Sequence, residues 1–170
     1  MKLIVDYLPF LAQPNIISIL VRTVLAILSA GLIGYDRNTR GSDAGIRTHI
    51  LVCVGAMIAM STGQFAALYF NSGDITRIGA QVVSGIGFLG AGSIIVTRSN
   101  HISGLTTAAG LWASACIGLA IGVGFYEGGI IGTIAVYFTE RFLRNWSKRI
   151  KATGSDLLNS YENSDNSSED

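Results

Sequence analysis

Apolar residues gather along this chain into five long stretches joined by short polar connections. The first is Ile16 to Gly34, broken once by Arg22, while the second, Ile50 to Phe70, and the third, Ile78 to Thr97, carry no charge. The fourth runs from Ile102 to Tyr126 and the fifth from Gly128 to about Leu143. A hydrocarbon core of about 30 Å takes roughly 20 apolar residues per helix, so the pattern predicts an all-α integral membrane protein with about five transmembrane helices. Glu140 and Arg141 interrupt the fifth stretch, which leaves open a four-helix reading with that stretch lying in the interface. The chain then divides into an interfacial N-terminal segment (1–15), a polytopic membrane domain (16–143), a basic juxtamembrane segment (144–154) and an acidic tail (155–170). The tail is rich in Ser and Asn, has too little apolar surface to fold, and reads as disordered.

Composition agrees: 49% of the 170 residues are hydrophobic and 14% charged, against about 25% charged in soluble domains, and the mean hydropathy is +0.48. The lipid bilayer is therefore the first partner, and no nucleic-acid partner is expected. Cys53 and Cys116 each sit inside a charge-free stretch, too sparse for a zinc or redox site, and read as small apolar packing groups. No cleavable signal is legible before Ile16, so the first helix reads as a retained anchor. With five spans, Arg37, Arg40, Arg47, Arg98, Arg141, Arg144, Lys148, Arg149 and Lys151 fall on one side and only Lys2 and Arg77 on the other. Positive charge stays in the cytoplasm, which puts the N-terminus outside and the C-terminus inside.

The stretch SGIGFLGAG, Ser84 to Gly92, holds a GxGxxG spacing in Gly85, Gly87 and Gly90. A dinucleotide fold needs a strand before it, a helix after it and an acid about 20 residues on; no acid stands in the GLTTAAGLW that follows, residues 104–112. Close packing between membrane helices, which small residues permit, accounts for the motif better. On the third stretch Ala80, Ser84, Gly87 and Ala91 share a face, and on the fourth Thr106, Gly110, Ser114, Gly118 and Gly122 recur every fourth residue. These stripes predict closely packed third and fourth helices, with Gly85, Gly90 and Gly92 adding to the contact.

Ionisable groups within or beside the bilayer are functional candidates by default. Arg22 either snorkels outward or pairs with Asp74 or Glu127. Asp74, Arg77 and Gln81 form one group at the entrance to the third helix, where Asp74 is equally suited to an ordinary cap. The connection YDRNTRGSDAGIRTH, Tyr35 to His49, holds Asp36, Arg37, Asp43, Arg47 and Thr48, and could meet Arg98, His101, Thr106 and Thr107 across the bundle. Asp36, Asp43 and Asp74 suit a hard cation such as magnesium, yet they form no cluster at ligand spacing, so the metal assignment stays unknown, with no cofactor and no catalytic residue assigned.

Three blocks, AGIRTHILVCVGA (44–56), DITRIGAQVVSGIGFLGAGSII (74–95) and ISGLTTAAGLWASACIGLAIGVGFY (102–126), with the lead-in GLIGYDRNTRG (31–41), resemble the membrane domain of the MgtC/SapB family. The resemblance rests on Asp36, Arg37, Arg47, Thr48, Asp74, Arg77, Gln81, Gly85, Gly87, Gly90, Gly92, Gly104, Thr106, Thr107 and Trp112. It implies a bacterial inner-membrane protein linked to magnesium homeostasis and growth at low magnesium, and in pathogens to virulence. Among partners it implies the F-type ATP synthase. Family members commonly carry Glu where Asp36 stands, and many continue into a cytoplasmic domain that this chain is not expected to have. Two functions fit: a non-enzymatic protein acting through helix contacts in a homo-oligomer or with another membrane complex, and a small oligomeric transporter or channel for magnesium or another ion.

Overall fold

The computed structural model describes residues 8–71, 74–96 and 102–143, which fall into one unit ending at Val136 and a second starting at Tyr137. The helices are α1 (Ile16–Asn38), α2 (Ile46–Phe70), α3 (Thr76–Gly92), α4 (Leu105–Val123) and α5 (Tyr126–Phe138). The all-α membrane fold is as the hydropathy pattern predicts. Three of these helices, α1, α2 and α4, are long and apolar enough to cross a membrane. The 17 residues of α3 and the 13 of α5 rise only about 26 and 20 Å at 1.5 Å per residue.

Local chemistry sets the helix ends. Asn15 caps α1: its side chain accepts from the Ser18 amide at 2.8 Å, and the Ser18 hydroxyl accepts from the Asn15 amide at 2.9 Å, a reciprocal capping box. The third apolar stretch does not run on to Thr97 as one helix. It stops at Gly92, and Ile95 and Val96 pair antiparallel with Ser103 and Ile102 in a two-residue ladder. The chain then enters α4 through Gly104 at φ +88, where a Cβ would overlap the Ser93 carbonyl; only glycine fits both demands. At the far end Gly124, φ +92, closes α4 with its amide on Ile121 O and the Phe125 amide on Ala120 O, a glycine C-cap that turns the chain back. In α5, Gly129 and Gly132 then lie against Ile121 and Ile117 of α4.

The sequence reading pairs the third and fourth helices, and α3 does pack on α4, through Gly90 against Ala108. The most extensive contact, however, joins α2 to α4, followed by α1 with α2. The stripe on α4 faces α2: a Cβ on Gly118 would overlap the Cys53 carbonyl oxygen, and one on Gly122 would stand 2.5 Å from the Met57 carbonyl oxygen. On α3 it is Gly79, Ile86 and Gly90 that are buried, whereas Ala80, Ser84, Gly87 and Ala91 are exposed. The reason lies in α2, which has almost no amphipathic bias and presents small Cys53 and Ala56 to α4, so backbone can approach backbone there. In the second unit, Phe138 stacks on Phe142 at 5.0 Å, and the Arg141 guanidinium lies 5.9 Å over the Tyr137 ring. Lys2, Arg98, His101, the juxtamembrane segment and the acidic tail lie outside the described residues.

Candidate functional site

Arg22 is fully buried, and it neither snorkels nor meets Asp74 or Glu127. Its Nε donates to the Tyr126 hydroxyl at 3.2 Å; Nη1 donates to Gln64 Oε1 and Gly122 O at 2.7 Å each and to Ser61 Oγ at 3.4 Å. Nη2 reaches Leu11 O at 3.0 Å and Ala12 O at 3.3 Å. All six acceptors are neutral oxygens, so the positive charge is met by dipoles and not by a carboxylate. The planar fork of arginine suits this, since its donors point in fixed directions that a flexible ammonium cannot reproduce. The acceptors come from the turn Pro9–Leu11 and its successor Ala12, from α2, from the end of α4 and from the start of α5, so one side chain ties four segments to α1. Ser61 and Gln64, absent from the sequence candidates, are legible in retrospect: two polar residues at a spacing of three in an uncharged stretch mark a buried face. Tyr126 carried no such signal.

At the opposite end of the bundle the connection from α1 to α2 meets α4, as the sequence suggests for Thr107. Arg37 Nη2 donates to Ser42 Oγ and Thr107 Oγ1, both at 2.7 Å. Asp36, 3% exposed, is ion-paired with Arg40 one turn on. Below them His49 and Ser114, both fully buried, share a 2.8 Å hydrogen bond between α2 and α4. His49 belongs to the polar set of the Tyr35–His49 connection in the sequence, though not to its site candidates. Substituting Ser114 by alanine removes the partner of His49 Nδ1 in a buried interface, where an orphaned group costs about 1–3 kcal/mol. Thermal unfolding of the detergent-solubilised variant should show that loss, with the fold retained. Arg47, Thr48 and Thr106 are exposed at the same end.

Asp74, Arg77 and Gln81 are all exposed. Asp74 Oδ1 accepts from the Thr76 hydroxyl at 2.7 Å and the Thr76 amide at 2.8 Å, so the carboxylate fastens the start of α3. These Thr76 hydrogen bonds, side chain first, hold its carboxyl below the ordinary carboxylate range, with the Arg77 charge adding to them. A depressed carboxyl stabilises the fold above its unfolded pKa of about 3.9 and loses that contribution as pH falls through the folded value. The order of α3's first turn, followed by amide exchange, should therefore be constant at neutral pH and fall only in strong acid. Asp74→Asn should abolish that acid step.

Of the remaining glycines, Gly85, Gly87 and Gly92 have nothing within 4 Å of where a Cβ would stand, and Gly110 is buried on α4. Trp112, which the resemblance carries, is half exposed. Among the described residues no group of three or more His, Cys, Asp or Glu side chains lies close enough to hold a metal ion.

Residues 23–149 match the model of the MgtC family. YhiD of Escherichia coli strain K12, provisionally named a magnesium transporter, is 44% identical over 120 residues, 68% of this chain and 55% of that protein. Protein MgtC of Brucella abortus strain 2308 is 42% identical over 119 residues, 70% of this chain and 48% of its own. An uncharacterised protein of Haemophilus influenzae is 33% identical over 165 residues, 89% of this chain and 69% of its own. The chain thus spans about half the length of the first two relatives. No solved structure matches it.

Proposed function

This chain belongs to the MgtC family, and on that premise we propose that it is a magnesium-related protein of the bacterial inner membrane that acts without catalysis, through helix contacts with a second copy of itself or with another membrane complex. The F-type ATP synthase, implied by the resemblance, is one such complex. The observation that carries this reading is the outer face of α3: Ala80, Ser84, Gly87 and Ala91 are exposed side by side, with open space above Gly85, Gly87 and Gly92. In lipid such a face gains nothing over leucine, whereas against another helix it allows close backbone approach. Exposed Gln81 on the same helix would gain a hydrogen-bonding partner there. The arginine-bearing connection Arg37–Arg47 faces the cytoplasm in this reading, by the excess of positive charge at that end.

Gly118→Leu would not test association, because Gly118 lies inside the unit against α2. Gly87→Leu does. It should leave the thermal midpoint of the detergent-solubilised protein unchanged while dispersing oligomers and abolishing growth support at low magnesium. Oligomers and growth that survive the substitution would end the proposal.

The name of the Escherichia coli relative supports a second reading, in which α3 helices of several copies border an ion path entered past Asp74 and Arg77. Sealed liposomes carrying the purified chain decide between the two: saturable magnesium flux that Asp74→Asn abolishes favours transport, and its absence favours the contact role.

A further inference from the structure

At the end of the bundle that carries the Asp36–Thr48 connection, a cavity of about 360 Å³ opens between α2, α3 and α4. Liquid water takes about 30 Å³ per molecule, so this space is far larger than a seat for one ion. Three helices give its wall the same gradient. Thr48 on α2 is followed one turn deeper by Val52 and Thr107 on α4 by Leu111, while Ser93, the C-cap of α3, is preceded by Leu89. Four residues of helix rise about 6 Å, so the lining passes from hydroxyls to hydrocarbon over that depth. Phe88, also in the lining, is 84% exposed, which leaves the apolar part open sideways to the acyl chains of the bilayer.

The one charged residue in the lining is an acid, Asp43, in the connection just ahead of α2. It is exposed, and among the described residues no hydrogen bond or ion pair holds its carboxylate. A primary ammonium suits it, because three N–H donors on one cation form charge-assisted hydrogen bonds to carboxylate oxygen. The hydroxyls of the lining are placed to donate in their turn. Thr48 is exposed, and Thr107 Oγ1 accepts from Arg37 Nη2 at 2.7 Å and so keeps its own proton to give. The wall thus offers an acid, then hydroxyls, then hydrocarbon, which complements an ammonium, a phosphate ester and an acyl chain in the same order. Ligand sites of this kind are mostly apolar, with a few polar groups that fix orientation.

We infer that this cavity binds one molecule of phosphatidylethanolamine, its ammonium on Asp43, its phosphate at the Thr48 and Thr107 hydroxyls and one acyl chain along Val52, Leu89 and Leu111. A hydrated cation would leave the apolar depth unfilled, and a hydrocarbon chain alone would leave the carboxylate without a counter-charge. An anionic phospholipid would bring its phosphate beside Asp43 with no ammonium to offset the repulsion. Gly87, whose substitution tests the contact role proposed above, is not in the lining, so the two proposals stand or fall separately.

The test is native mass spectrometry of the full chain purified in detergent and titrated with phosphatidylethanolamine, phosphatidylcholine and phosphatidylglycerol of the same acyl chains, and with magnesium chloride. One phosphatidylethanolamine per chain should be retained about fivefold more tightly than either other lipid, the upper end for one exposed ion pair. Phosphatidylcholine has no N–H to donate, and phosphatidylglycerol has no cation. Magnesium should not displace the lipid. Asp43→Asn should bring the three lipids level. Gly92→Leu should abolish retention of all three, since Gly92 lines the cavity and has no atom within 4 Å of its missing Cβ. Asp43 is exposed, so Asp43→Asn keeps the fold and decides the matter if the Gly92 variant does not fold. Equal retention of phosphatidylethanolamine and phosphatidylcholine, indifference to Asp43→Asn, release of the lipid by magnesium, or dimers that Asp43→Asn disperses with no lipid retained would each overturn the inference.

Discussion

Arg22→Ala should lower the stability of the solubilised protein by on the order of 4 kcal/mol, read as a fall in thermal midpoint of about 10 °C, since 1 kcal/mol corresponds to about 2–4 °C for a chain of this size. The estimate is not the sum of six hydrogen bonds. Three of the carbonyl acceptors keep a second donor: Gly122 O from Ser61, Leu11 O from Tyr126 and Ala12 O from Gln64, at 2.9, 3.0 and 2.9 Å. What is lost is the charge-assisted share of the network, about 1.5–3 kcal/mol for a bond to a charged group, together with the cavity left by a long buried side chain, typically about 2–5 kcal/mol. Against this stands relief from burying a charge, which keeps the total near the middle of the range. Arg22→Lys keeps the charge but not the fork and should recover about half of the loss. An unchanged midpoint for Arg22→Ala would show that the guanidinium ties nothing together.

The second large effect is expected at Gly118. Glycine to alanine in a helix ordinarily stabilises by about 1 kcal/mol; here the sign reverses. The added Cβ meets the Cys53 carbonyl oxygen, which belongs to the backbone of α2 and cannot swing aside as a side chain can. The two helices must separate, and overpacking of this kind costs about 3 kcal/mol or more. Gly122→Ala should behave alike, for its Cβ would stand 2.5 Å from the Met57 carbonyl oxygen. Gly87→Ala provides the contrast, being neutral or slightly stabilising where nothing lies within 4 Å. Chemical unfolding of the three variants side by side checks the ranking. Equal behaviour of Gly118→Ala and Gly87→Ala would contradict the close α2–α4 approach.

The two glycine-rich helices show where reading the chain succeeds and where it stops. Four-residue periodicity on α4 puts Gly118 and Gly122 on one side, because the helical repeat alone decides which residues share a face, and both stand against the backbone of α2. It could not name the partner: α2 was chosen because Cys53 and Ala56 are small where α4 arrives, a fact about two helices at once. The same periodicity on α3 marked Ala80, Ser84, Gly87 and Ala91, which the structure leaves exposed, while the residues α3 buries, Gly79, Ile86 and Gly90, follow a different line around the helix.

Arg22 makes the point from the polar side. A charge within an apolar stretch announces that it must be accommodated, and hydropathy with charge placement was enough for the membrane class, the helical content and the two polar ends of the bundle. These follow from transfer free energy, which each residue contributes largely on its own. The guanidinium's partners are Leu11, Ala12, Ser61, Gln64, Gly122 and Tyr126, from segments spread over the chain, and half of the contacts are to backbone carbonyls that no side chain advertises. Directional hydrogen bonds and backbone contacts depend on where separate helices come to lie, so their partners became known only once the helices had packed.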